Sequence, residues 1–234
     1  MTDHQIVTHD EWIAARRRFL EKEKEFTRLR DELSRERREL PWERVEKEYV
    51  FEGENGRETL ADLFGKRSQL IVYHFMYDPD WEIGCRSCSF WADNFNGIIP
   101  HLNQRDVSLV AVSRAPLQKL QAQAQRFGWT FKWISSYGSD FNFDYNVSFS
   151  AETLARGEAF YNYTTQKITR TELPGISVFF KDDDEIFHTY STYGRGLDML
   201  NVAYHYLDSA PKGRDEDGLP FPMAWVKHRI AYES

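Results

Sequence analysis

No stretch of this sequence is apolar for long enough to cross a bilayer, so a membrane is not an expected partner. Basic residues are not in excess either. The formal net charge is −7 at pH 7, and phosphate contact needs a positively charged face, so nucleic acid is not expected as a partner. The opening residues, MTDHQIVTHDEW, lack the basic-then-apolar pattern of a secretory signal, which leads us to expect a cytoplasmic protein. Cysteine is the scarcest chemistry of all: Cys85 and Cys88 are the only two in 234 residues. In a reducing compartment a structural disulfide is disfavoured, so such a close pair reads as redox-active or metal-binding. Aromatic residues, in contrast, make up 15% of the chain. That composition suits a core packed with large rings and excludes a disordered chain. The length suits one core with extensions.

The pair sits in the stretch around which the chain is organised, Gln69 to Gly97. Leu70, Ile71, Val72, Tyr73 and Phe75 read as a buried strand, and Asp78-Pro79-Asp80 breaks it. Cys85-Arg86-Ser87-Cys88 then leads into a helix continuing through Ser89 to Phe95. Strand, loop and Cys-x-x-Cys opening a helix is the layout of a thiol redox site. Unpaired N–H groups and the positive end of the macrodipole favour thiolate over thiol there, and two intervening residues keep the second sulfur within disulfide reach.

Around that centre the order is legible. Thr8 to Leu40 predicts one long charged helix, opened by a capping box of Thr8 with Glu11 and stopped by Pro41. Trp12, Phe19, Phe26, Leu33 and Leu40 recur every seven residues, with Ala15 and Leu29 on the second seam and Lys22 and Glu36 interrupting it. Such a seam suits either the helix's own domain or the same helix of a second copy, giving a homodimer. A strand around Tyr49–Phe51 and a turn at 53–56 precede a short helix from Thr59. After the cysteine helix, which Pro100 is expected to close, come a strand at Val107–Val112, a helix at Pro116–Phe127 capped by Gly128, and a strand at Trp129–Ser135. The stretch from Ala151 to Arg170 carries a hairpin around Tyr161-Asn162-Tyr163. Ile176–Phe180 and Glu185–Thr192 form another hairpin, a last helix is expected over Leu197–Leu207, and an aromatic tail follows.

Strands joined by helices in this order favour a central sheet covered on both faces. With the cysteines after the first such strand and Leu173-Pro174-Gly175 ahead of the later hairpin, the chain resembles the thioredoxin fold, in which a cis-proline faces the Cys-x-x-Cys. A cis bond at Pro174 is therefore expected. Longer motifs narrow the resemblance: YHFMYDPDWEIGCRSCSFWADNFNGIIPHLNQRDVSLVAVSRAP, WISSYGSDFNFDYNVSF, ELPGISVFF, HTYSTYGRGLDMLNVAYHYLD and PKGRDEDGLPF. In these the chain is similar to a bacterial thioredoxin-like family known as domain of unknown function 899, described as predicted dithiol–disulfide oxidoreductases. The resemblance implies an α/β, thioredoxin-like three-layer sandwich, a central mixed sheet with helices on both faces, carrying a long N-terminal helical extension. The expected divisions are a helical extension over 1–42, the thioredoxin-like domain over 43–210, and a tail over 211–234 that docks on the domain or on a partner subunit.

The same resemblance assigns roles. Cys85 would attack a substrate disulfide as thiolate and Cys88 would resolve the mixed disulfide. Arg86 would depress the Cys85 pKa, whereas Asp78, Asp80 and Glu82 would raise it if they lie close in space. Pro174 would shape the substrate groove, and Trp81, Gly84 and Trp91, with Phe90, would border it, although core packing is the plainer role for such rings. No cofactor is implied; electrons would come from another dithiol or a small thiol. Three alternatives stay open. A thiol-dependent peroxidase of peroxiredoxin type would use the same fold, but Asp78 and Glu82 stand where that family places Pro and Thr. A zinc site would need histidines such as His74, His101 or His188 to join the cysteines. A scaffold led by the N-terminal helix would keep its activity in Cys85→Ser.

Overall fold

The computed structural model describes residues 4–232. The chain divides into two compact units, Met1–Pro41 and Trp42–Ser234. The first is a single helix, α1 (His9–Arg38). Its start is fixed as the sequence implies: Glu11 N–H donates to the Thr8 hydroxyl at 3.4 Å, and Thr8 N–H donates to the Glu11 carboxylate at 2.9 Å. Such a cap contributes about 1 kcal/mol. None of the residues of α1 is buried.

The second unit begins with β1 (Glu43–Arg44), β2 (Val50–Gly53), β3 (Gly56–Thr59) and α2 (Leu60–Leu63). Next come β4 (Gln69–His74), α3 (Arg86–Ala92), α4 (Phe95–Asn103), β5 (Val107–Ser113), α5 (Leu117–Phe127) and β6 (Trp133–Ser135). After α6 (Phe141–Asp144) and α7 (Ala151–Arg156), β7 (Glu158–Tyr161) and β8 (Thr164–Lys167) make the small hairpin, turning at Asn162-Tyr163 with positive φ at both residues. The chain then adds β9 (Gly175–Asp182), β10 (Glu185–Tyr193), a 3₁₀ segment (Gly194–Leu200) and α8 (Val202–Ser209).

Eight strands form one mixed sheet in the order β1-β10-β9-β4-β5-β6-β2-β3. The strand ahead of the cysteines, β4, is central: Val72 pairs with Val110 of β5 in parallel and with Ser177 of β9 antiparallel. Alternation along β4 separates two cores. Leu70 and Val72 join α2 and α6 through Leu60, Leu63 and Phe141, while Tyr73 and Phe75 join α3, α5 and α8 through Trp91, Leu120 and Tyr204. Each fully buried side chain of this size contributes roughly 1.5–3 kcal/mol. A parallel pair needs a crossover and both faces need cover, which gives the thioredoxin-like three-layer arrangement.

Four expectations are corrected. Pro100 lies inside α4 rather than closing it; the break falls at Asp93-Asn94, ahead of α4. The strand expected from Trp129 begins only at Trp133, because Thr130 and Phe131 give their N–H groups to the Asn96 side chain at 2.9 and 3.2 Å instead of to a neighbouring strand. The last helix is divided at Asn201, whose side chain caps α8 by accepting from Ala203 and Tyr204 N–H. Finally, no peptide bond among the described residues is cis, so Pro174 is trans.

Candidate functional site

Cys85 is the N-cap of α3, and its own N–H donates to Met76 O at 3.0 Å, pinning the loop back onto the end of the central strand. Ser89 fastens the first turn twice, giving both its N–H and its hydroxyl to Cys85 O at 3.0 Å. Both cysteines are free thiols, 4 Å apart. Cys85 keeps part of its surface exposed, whereas Cys88 is 1% exposed and accepts from Met76 N–H at 3.4 Å.

This difference sets their chemistry apart. The hydrogen bond from the Cys88 thiol, with the N–H groups of Cys88 and Ser87 and the Ser87 hydroxyl, outweighs burial and brings the Cys85 pKa down to about 6. Cys88 moves well above the ordinary thiol range, first through burial and then through its bond and charge interaction with Cys85. The phenol of Tyr73, itself buried, bonds to the Cys88 sulfur. One thiol is therefore a thiolate at neutral pH and the other a proton-bearing partner beside it.

The remaining expected site residues divide into two groups. Cys88, Trp91 and Pro174 line one cavity of about 840 Å³, with Tyr73 and Met76 from the strand end and with the chain's later segments at 194–198 and 208–223. Trp91 is fixed there by donating its indole N–H to Leu197 O at 2.9 Å, and Pro174 by accepting at its carbonyl from the Tyr161 hydroxyl at 2.7 Å. Trp81 and Gly84 do not line this cavity. Trp81 packs against the core while its carbonyl accepts from Lys119 Nζ at 2.8 Å. Gly84, next to Cys85 in the chain, is buried: its N–H donates to Gln123 Oε1 at 2.7 Å, and a Cβ here would lie 2.7 Å from the Phe75 ring. Its role is spatial, a close backbone approach that lets Cys85 reach Met76.

Arg86 is exposed, and Cys85 is acidified by local hydrogen bonds instead. Asp78 is buried and faces Arg114 at 3.9 Å. Arg114 also pairs with Glu172 at 3.0 Å, so one guanidinium joins the loop ahead of the cysteines to the segment that carries Pro174. Burial nevertheless dominates at Glu172, pushing its pKa up to about 7 against the opposing pull of Ser148 and Arg114. Sequence reading missed Tyr73, Arg114, Glu172 and the 208–223 wall. Only Tyr73 had a signal, its place near the C-terminal end of the strand that delivers the cysteines. Among the described residues no group of three or more His, Cys, Asp and Glu side chains could hold a metal ion, and no helix is long and apolar enough to cross a membrane.

A family model described as "Bacterial protein of unknown function (DUF899)" matches residues 1–232. No curated protein matches the sequence. Among solved structures the chain is similar to a cysteine-to-serine mutant of Xylella fastidiosa PrxQ, at 14% identity and a TM-score of 0.43, covering 68% of this chain and 89% of that one. It is similar to the peroxidoxin BcpB of Mycobacterium tuberculosis at 11% identity and a TM-score of 0.41, over 69% and 93% of the two chains. A reduced 2-Cys peroxiredoxin of Plasmodium vivax matches at 13% identity and a TM-score of 0.41, over 71% and 94%.

Proposed function

The chain belongs to the bacterial family of unknown function DUF899, and from that premise, which names no activity, we propose that it is a thiol–disulfide oxidoreductase acting through Cys85 and Cys88. The observation that carries this reading is the split acidity of two free thiols 4 Å apart, with Cys85 lowered to about 6 and Cys88 raised. Cys85 is the attacking thiolate. Once it is tied up in a mixed disulfide its negative charge is gone, the repulsion that raised Cys88 is relieved, and Cys88 attacks the Cys85 sulfur to release the product thiol. Pro174 and Trp91 border a cavity that meets the pair at Cys88, with Cys85 4 Å away from that sulfur. Reduction of the resulting disulfide requires an external dithiol or a small thiol.

A peroxidase reading draws less support from the site. Glu82, at the place where peroxiredoxins carry their Thr, is exposed, and a carboxylate offers a peroxide no donor. The deciding experiment is equilibration of the protein in glutathione redox buffers, with trapped thiols counted by mass spectrometry. A single two-electron Cys85–Cys88 transition is expected. A midpoint near roughly −270 mV marks a reductant and one near about −120 to −180 mV an oxidant or isomerase. Absence of an intramolecular disulfide at every poise would sink the dithiol mechanism, and turnover with hydrogen peroxide at rates above those with disulfides would put the peroxidase reading in its place.

A further inference from the structure

The cavity beside Cys88 has an apolar floor and an acidic wall. Its floor is Tyr73, Met76, Trp91, Leu197 and Tyr204, with Met223 arriving from the tail. Its outer wall is the segment that follows α8, and that segment is firmly held. The Arg214 guanidinium lies 3.7 Å from the centre of the Tyr204 ring and donates to Asp208 at 2.8 and 2.9 Å and to Asp198 at 2.9 Å. Glu216 accepts from the Trp225 indole at 2.7 Å and from Met223 N–H at 2.9 Å, and Trp225 packs edge-on against Phe90 of α3, 5.4 Å between centroids. The wall thus flanks a half-open cavity of about 840 Å³ that reaches the pair at Cys88, within the size range of small-molecule sites.

The charge balance of the pocket has a sign. Five carboxylates line it, Asp198, Asp208, Asp215, Glu216 and Asp217, against Arg195, Lys212 and Arg214. The Arg214 charge is consumed by Asp198 and Asp208, and Arg195 leans on the same Asp198 at 3.4 Å. Glu216 accepts only neutral N–H groups. Asp215 and Asp217 enter no ion pair among the described residues, which leaves Lys212 outnumbered at the mouth.

Resting on the thiol–disulfide reading above, we infer that the substrate is a low-molecular-weight disulfide with a compact apolar body and an amine or other cationic group, taken in preference to anionic disulfides and to protein disulfides. The apolar part lies over the floor rings, and the cation meets the Asp215–Asp217 side of the wall. The reaction balances without a cofactor. The Cys85 thiolate attacks one sulfur of RS–SR, forming Cys85–S–SR and expelling RS⁻, which takes the Cys88 proton. Cys88, now a thiolate, attacks the Cys85 sulfur and expels the second thiolate, which takes a proton from solvent. Two product thiols form, the protein is left as the Cys85–Cys88 disulfide, and an external dithiol returns two electrons and two protons.

The test uses the reduced full-length chain with three small disulfides: cystamine (cationic), 2-hydroxyethyl disulfide (neutral) and dithiodiglycolate (anionic). Each rate of thiol loss is divided by that of a free cysteine peptide, to remove intrinsic reactivity. We expect the cationic-to-anionic ratio to reach about tenfold at low salt and to shrink at high ionic strength, because the wall is solvent-facing. The ratio should fall severalfold in Asp215→Asn/Asp217→Asn, whose exposed positions leave the fold intact. Insulin disulfides should react more slowly than cystamine. Equal or inverted ratios, or faster reaction with insulin, would overturn the substrate assignment while leaving thiol–disulfide exchange standing. Failure of all probes, with no Cys85–Cys88 disulfide found by mass spectrometry, would instead remove the underlying reading.

Discussion

Cys85 and Cys88 are one residue type three positions apart, yet their acidities diverge because one receives hydrogen bonds and the other is buried among rings. The rate of iodoacetamide alkylation of the reduced protein should therefore rise through a midpoint near pH 6 and plateau above it. In Cys85→Ser that phase should vanish. In Cys88→Ala it should persist but shift toward the ordinary thiol value of about 8.5, since the largest stabiliser of the thiolate is gone. Gly84 gives a second test at this scale. An added methyl would meet Phe75, Tyr77 and Gln123 within 3.0 Å, all in the packed interior. Gly84→Ala should lower stability by roughly 1–3 kcal/mol, read as a drop in the denaturant midpoint, and slow the Cys85 reaction by displacing the loop.

At the scale of elements, the sheet holds polar groups that its hydrophobic pattern does not announce. His74 bonds Ser177 at 2.8 Å, Ser177 bonds Ser191 at 2.8 Å, and Ser191 bonds His188 at 2.7 Å, stitching β4, β9 and β10 across the face opposite the dithiol. Burial, reinforced by the charge of His188, brings the His74 pKa down to about 3. Ser191→Ala would leave His188 Nε2 without this partner and Ser177 with His74 alone, and should cost about 1–3 kcal/mol in chemical denaturation. Glu172 links two other elements through Arg114, and its raised pKa has a defined linkage sign. Between the unfolded value near 4.5 and the folded value of about 7, the native state binds the extra proton, so its contribution is complete below that window and is lost as pH rises through it. The loss amounts to roughly 3 kcal/mol. Glu172→Gln, which cannot titrate, should flatten the decline in stability across that window, measured as the urea midpoint against pH.

For the whole molecule, α1 bears a heptad seam of Trp12, Phe19, Phe26 and Leu33 in which every residue is more than half exposed. We propose that this seam pairs with its counterpart on a second copy. Sedimentation at micromolar concentration should give a dimer for the natural chain and a monomer for Phe19→Lys/Phe26→Lys/Leu33→Lys, with dithiol chemistry retained. A natural chain that sediments as a monomer would end that proposal.

From sequence alone came the features that depend on local order: the capped helix α1, the strand and Cys-x-x-Cys layout, the Gly128 stop, the Asn162-Tyr163 turn, and the alternation that predicts a sheet covered on both faces. These follow from hydrophobic period, capping chemistry and turn residues within a few positions of one another. Tertiary structure decided whatever needed partners distant in sequence. Asn96 took the N–H groups that would have extended β6, and Gln123 and Phe75 made Gly84 a spacer rather than a rim residue. Arg114 was joined to Glu172, and the segment after α8 was brought to the dithiol. The acidity of Cys85 belongs to both levels. The motif placed a second thiol and two N–H groups beside it, but only the packing of α3 on β4 determined which cysteine would be buried and which would keep its charge.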